Sequence, residues 1–163
     1  MSSMSLKAIS YTTGKIRRLP TWARIAGVGL TVLLVAFTII MLLMSYTPDN
    51  LNTSTQLMSE QGDYQISYVP EVSPVTINQI QMWTLRVTES NGKPVEDAKI
   101  TVDGGMPQHG HGLPTVPQVT NYLDNGLYQV EGMKFHMSGW WIVKFKIVRN
   151  GTTDNVTFNL MLS

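Results

Sequence analysis

The feature that most limits this chain is a run of 22 residues without a charge, Ile25 to Tyr46 (IAGVGLTVLLVAFTIIMLLMSY). As a helix it reaches roughly 33 Å, and the hydrocarbon core of a bilayer is about 30 Å thick. Trp22 and Tyr46 stand at its ends, where amphipathic rings favour the headgroup layer. The formal charge of the whole chain is only +1, but it is unevenly spread. Residues 1–24 hold five cations (Lys7, Lys15, Arg17, Arg18, Arg24) and no acid, while residues 25–163 hold seven cations against eleven acids. The positive-inside rule then keeps the N-terminus in the cytoplasm and sends residues 47–163 outside. In a Gram-negative cell that describes a single-pass protein of the inner membrane with a periplasmic domain. The rival is a cleaved signal peptide, whose apolar core is shorter and ends in a small-x-small site. Here the run ends in Met41-Leu42-Leu43-Met44-Ser45-Tyr46, with no Ala-x-Ala pattern, so an uncleaved anchor is expected. An acidic outer part also argues against a nucleic-acid partner.

The expected organisation is a basic cytoplasmic segment (1–24), a transmembrane helix (25–46), a linker (47–63) and an extracytoplasmic domain (64–163). The linker is assigned because Thr47-Pro48-Asp49-Asn50 stops the helix and residues 49–62 are polar with no clean period. From Tyr64 onward the pattern is that of short strands. In Gln79–Thr88, the set Trp83, Leu85, Val87 alternates with polar neighbours and reads as the buried face. Ala98, Ile100, Val102 alternate likewise, as do Trp141, Val143, Phe145, Ile147 and then Val156, Phe158, Leu160, Leu162. Asn91-Gly92, Asn125-Gly126 and Asn150-Gly151 supply turns between them. Six or seven strands with such spacing predict an all-β, two-sheet antiparallel sandwich, with Trp83 and Trp141 as core anchors.

One segment breaks the strand pattern. Gly104–Thr115 reads GGMPQHGHGLPT, with four glycines and two prolines, and predicts a shaped loop. The three histidines of the chain, His109, His111 and His136, lie near Met106, Met133 and Met137 in sequence. There is no cysteine, so thiolate sites and disulfides are excluded. Imidazole suits copper, zinc and nickel, and thioether selects copper, so a mixed Met/His set points to copper. His109 and His111 are two apart and share a side in an extended segment. The six candidate ligands are His109, His111, Met106, His136, Met137 and Met133, with Asp103 as a carboxylate that could orient a histidine. The plainer reading stays open: the histidines hold turns and the methionines fill irregular core gaps. No Ser/His/Asp set, carboxylate pair or nucleotide-cradling glycine spacing is present, so no enzymatic activity is expected.

Two runs carry a family resemblance. Ala98–Gly112 ends in Met106-Pro107-Gln108-His109-Gly110-His111-Gly112. Gly126–Phe135 (GLYQVEGMKF) is followed by Gly139-Trp140-Trp141. Together they resemble the FixH-like/YtkA-like family of membrane-anchored or exported bacterial domains, over roughly residues 80–163. The resemblance implies an immunoglobulin-like antiparallel β-sandwich after one N-terminal transmembrane helix. It also implies a copper-related accessory role beside a membrane copper enzyme such as a respiratory oxidase, in its assembly or metal loading. A second expectation is a non-catalytic structural subunit whose helix packs on a large membrane complex through Ala26, Gly27 and Gly29, with the sandwich capping the periplasmic face. A third is a sandwich that binds a small molecule or peptide with Trp140 and the 106–114 loop.

Overall fold

The computed structural model describes residues 20–44 and 46–163. The chain divides into two units, Met1–Leu43 and Met44–Ser163. Among the described residues the first holds one helix, α1 (Thr21–Met44). It begins after Pro20, whose carbonyl accepts the amides of Ala23 (3.0 Å) and Arg24 (3.2 Å). The charge-free run predicts 25–46, and the helix starts four residues earlier because a single Arg24 near one end breaks no backbone bond. It stops ahead of Thr47-Pro48, since the residue before a proline is pushed out of the helical region. Thr31 and Thr38 return their hydroxyls to the carbonyls of Gly27 (2.9 Å) and Leu34 (2.7 Å), so these polar groups are satisfied within the helix. The helix is long and apolar enough to cross a membrane, a description that a signal sequence near an N-terminus also meets. The basic residues Lys7, Lys15, Arg17 and Arg18 lie outside the described residues.

The second unit holds nine strands among the described residues. They are β1 (Gln56–Met58), β2 (Tyr64–Pro70), β3 (Gln81–Glu89), β4 (Lys99–Met106), β5 (His111–Gly112), β6 (Gln118–Asp124), β7 (Leu127–Met133), β8 (Gly139–Arg149) and β9 (Thr152–Leu162). All pairings are antiparallel, in the order β1-β2-β3-β7-β6-β4-β8-β9, with β5 folded onto β4. Two layers result, β1-β2-β3-β7-β6 and β5-β4-β8-β9. A single pair, Thr101 with Gln118, joins them on one side. On the other, the Glu60 amide donates to the Asn155 carbonyl at 2.8 Å. The fold is therefore an all-β, immunoglobulin-like antiparallel sandwich, nearly closed into a barrel.

Local sequence explains the frame. Asn150 (φ 51°) and Gly151 (φ 79°) both take the left-handed conformation between the paired residues Arg149 and Thr152. That is the two-residue turn whose twist matches the strands it joins. Along β8, Trp141, Val143, Phe145 and Ile147 are fully buried while Lys144 and Lys146 are exposed. Trp83 and Trp141 are fully buried, and Tyr68 stacks on Trp83 at 4.5 Å.

The stretch expected to be a linker, 47–63, is only partly one. Gln56–Met58 form β1 on β2, and the Asn52 carbonyl accepts Asn159 Nδ2 at 3.1 Å. Asp154, fully buried at the start of the β9 inward face, accepts the amides of Gln61 (3.1 Å) and Asn155 (2.7 Å) through Oδ1. Burial pushes its carboxyl up, but bonds from Ser59 and the Gln61, Asn155 and Asp63 amides outweigh this and hold it below the ordinary value. Polar composition suggested a tether. The partners that order it lie about a hundred residues away in sequence.

Candidate metal centre

The glycine-rich segment is a hairpin, and β4 runs through its two glycines to Met106. Gly105 pairs with Gly112 and Met106 with His111. The turn is held by the amides of His109 (3.2 Å) and Gly110 (3.0 Å) on the Met106 carbonyl, and Leu113 returns its amide to the Gly104 carbonyl (3.1 Å). Gln108 in the turn donates to the Thr47 hydroxyl. The glycines are needed because backbone lies close on both flanks of β4. A Cβ on Gly105 would meet the His111 carbonyl oxygen at 2.3 Å, and one on Gly104 would meet that of Ile142 at 2.5 Å.

Continuing β4 to residue 106 sets the direction of Met106. Side chains alternate along a strand, so Met106 shares the inward face of Ile100 and is 2% exposed. Its methyl packs on Gly139, where a Cβ would stand 3.0 Å from Met106 Cε. Gly139 has φ 117°, a conformation that disfavours a side chain in any case. Met106 thus packs the hairpin against the segment that carries His136.

Cross-strand partners share a face of the ladder. His111, opposite Met106, is thereby directed over the end of the sandwich. The three imidazoles stand in a file there. His109 and His111 have ring centres 6.2 Å apart and nearly parallel planes (26°). His111 and His136 are 5.9 Å apart at 74°. His136 in turn sets its ring edge-on to Trp141 at 5.3 Å. His109 and His111 are exposed and His136 is half-buried. Trp141 anchors the inner end by donating Nε1 to the Met137 carbonyl (3.0 Å). Nδ1 of His136 is buried and has no hydrogen-bond partner.

The thioethers are placed differently from the imidazoles. Met106 and Met133 lie in the core, and Met137 is half-buried against it. Asp103 accepts the Gly104 amide (2.7 Å) rather than a histidine. Its bond is to the next residue within β4, not to an imidazole. Trp140 is tied to Asn159 Oδ1 (3.0 Å), half-buried rather than opening a mouth.

With a metal–nitrogen bond of about 2 Å, two imidazoles on one ion have ring centres roughly 5–6 Å apart. Both neighbouring pairs in the file are near that spacing. Among the described residues no three His, Asp or Glu side chains are drawn together tightly enough to enclose an ion. Closing the set takes rotation of His109 and His111, which exposure permits on a fast timescale. His136 already points a bare nitrogen into a buried space, where an unmatched polar atom costs about 1–3 kcal/mol. A metal or a proton donor at that atom removes the cost.

A family model described as YtkA-like matches residues 58–146, more than half of the chain, and the chain belongs to that family. No curated protein matches the sequence. Among solved structures, a DUF4426 family protein from Pseudomonas aeruginosa PAO1 is similar at 16% identity and a TM-score of 0.48, covering 66% of this chain and 94% of its own. The ZirS C-terminal domain is similar at 16% identity and a TM-score of 0.35, covering 71% of this chain and 82% of its own.

Proposed function

We propose that this YtkA-like protein is a membrane-anchored periplasmic copper-binding accessory protein, which aids assembly or metal loading of a membrane copper enzyme such as a respiratory oxidase. The observation that supports the reading is the file of His109, His111 and His136, ending in a buried nitrogen without a partner. Copper is cargo in this reading, and the protein does no chemistry on it. His136, wedged against Trp141, is the fixed donor. His109 and His111, on an exposed hairpin, are the donors that can swing to collect or release the ion. The helix α1 holds the domain at the membrane, with the basic N-terminus in the cytoplasm.

The test is copper binding by the full chain in detergent, followed by equilibrium dialysis. About one equivalent is expected, with most of it lost on His109→Ala together with His111→Ala. A protein that binds copper no tighter than micromolar refutes the reading. A second reading is a non-catalytic subunit of a large membrane complex, favoured by one observation: α1 is long and apolar enough to cross a membrane and carries Ala26, Gly27 and Gly29, which suit close helix approach. Co-purification with such a complex in mild detergent, unchanged by the histidine substitutions, is the outcome that reading requires.

A further inference from the structure

The sequence offers soft and borderline donors together, and the two make different demands on an ion. Thioether sulfur selects copper in its reduced state, whereas imidazole suits the oxidised ion. The structure separates them. The chain has no cysteine, and the Met106 and Met133 side chains are 2% and 0% exposed within the core. Moving the Met106 sulfur to the hairpin tip would withdraw its methyl from Gly139 and break the contact that packs the hairpin against the His136 segment. Moving Met133 would empty the core at the C-terminal end of β7, where its Cα partner is Gln81 on β3. Met137 is held by its own backbone, through the Trp141 indole, and its side chain packs on the core. The nearest carboxylate in the hairpin sequence, Asp103, is engaged with the Gly104 amide. What remains at the tip is three imidazoles.

We infer that the His109–His111–His136 site is an all-nitrogen site selective for Cu(II) over both Cu(I) and Zn(II). This rests on the copper reading above and adds the state in which the ion is carried. Three imidazoles would hold the ion through nitrogen alone and would leave room for water or for a donor of the receiving protein. Selectivity over zinc follows from the general order of divalent affinities at nitrogen sites, in which copper stands highest. Selectivity over Cu(I) follows from the burial of the sulfurs.

The experiment uses the full chain in detergent and the metal ions alone as probes. Cu(II) affinity is measured in competition with glycine and Zn(II) affinity with a chromophoric chelator. Cu(I) affinity is measured anaerobically against a Cu(I)-specific chelator. The expected result is a Cu(II) electron paramagnetic resonance spectrum with nitrogen hyperfine coupling, weakened by His111→Ala and by His136→Ala. Cu(II) should bind at least about tenfold tighter than either Cu(I) or Zn(II). Met106→Leu and Met137→Leu, which keep volume, should leave all three affinities within about threefold. Tighter Cu(I) binding that falls on Met106→Leu or Met137→Leu overturns the inference and leaves copper carriage standing. Zinc binding equal to or tighter than Cu(II) also overturns it. Absence of binding by copper in either state overturns both.

Discussion

Met106 gives the sharpest test of how the tip is built, because sequence and structure assign it opposite roles. As a loop residue its sulfur would be a ligand; as an inward residue of β4 it is core. Replacing it with alanine removes a side chain that is 2% exposed and leaves a cavity between the hairpin and Gly139. Buried Met→Ala changes cost about 2–5 kcal/mol, the spread reflecting how far the site collapses. For a domain of this size each kcal/mol moves Tm by roughly 4 °C, so a fall of roughly 8–20 °C is expected. Met106→Leu keeps the volume and should cost less than about 1.5 kcal/mol. The assay is urea unfolding of the full chain in detergent, followed by fluorescence of the buried Trp83 and Trp141 and checked against a thermal scan. An alanine variant that loses under about 1 kcal/mol would place the side chain outside the core. A leucine variant as damaged as alanine would show that the sulfur itself matters. Either result refutes the packing argument.

Three more outcomes follow from the same geometry. Gly105→Ala drives a Cβ against the His111 carbonyl, a backbone atom that cannot turn aside, so β5 must lift off β4. Overpacking of this kind costs about 1–3 kcal/mol, and faster hydrogen exchange at the Leu113 amide should report it, unchanged exchange ruling it out. His136→Phe removes the unpaired nitrogen but keeps a ring against Trp141. Metal-free stability should hold or rise by up to about 1 kcal/mol while copper affinity falls, and a large loss in urea would mean that the nitrogen is satisfied. Asp154 has a folded value below its unfolded one, so its contribution is present above the unfolded value, about 3.9, and is lost as pH falls through the folded value. The urea midpoint should therefore drop on acidification below about pH 4, more steeply than in Asp154→Asn, with parallel curves as the refuting result.

Much of the frame was legible because it is written in short-range patterns. Trp141, Val143, Phe145 and Ile147 alternate with Ile142, Lys144 and Lys146, and only one register of β8 buries the first set. Asn-Gly pairs favour left-handed turns between such runs, and Asn125-Gly126 and Asn150-Gly151 both adopt them. The helix was legible for a similar reason, since length and apolarity are properties of the segment alone. Its ends were less so, because Arg24 and Pro20 act through backbone geometry rather than charge. The order within 52–63 is not legible in sequence, because Asp154 and Asn159 on β9 supply its partners and no local pattern announces contacts so distant.

The candidate site divides along the same line. Residue types alone determined that any metal held here would meet imidazole and thioether without thiolate, since the chain has three histidines, ten methionines and no cysteine. Tertiary structure decided which of those donors face outward. Whether β4 continues through Gly104-Gly105 depends on β8 and β5 lying close on either side, and that continuation turns Met106 into the core. The approach of His136 to His111 depends on Trp141 and Met106 packing together two segments that are separate in sequence. Alternation along a strand is local and can be read. Contact between separate hairpin ends is a property of the packed core and exists only once that core has formed.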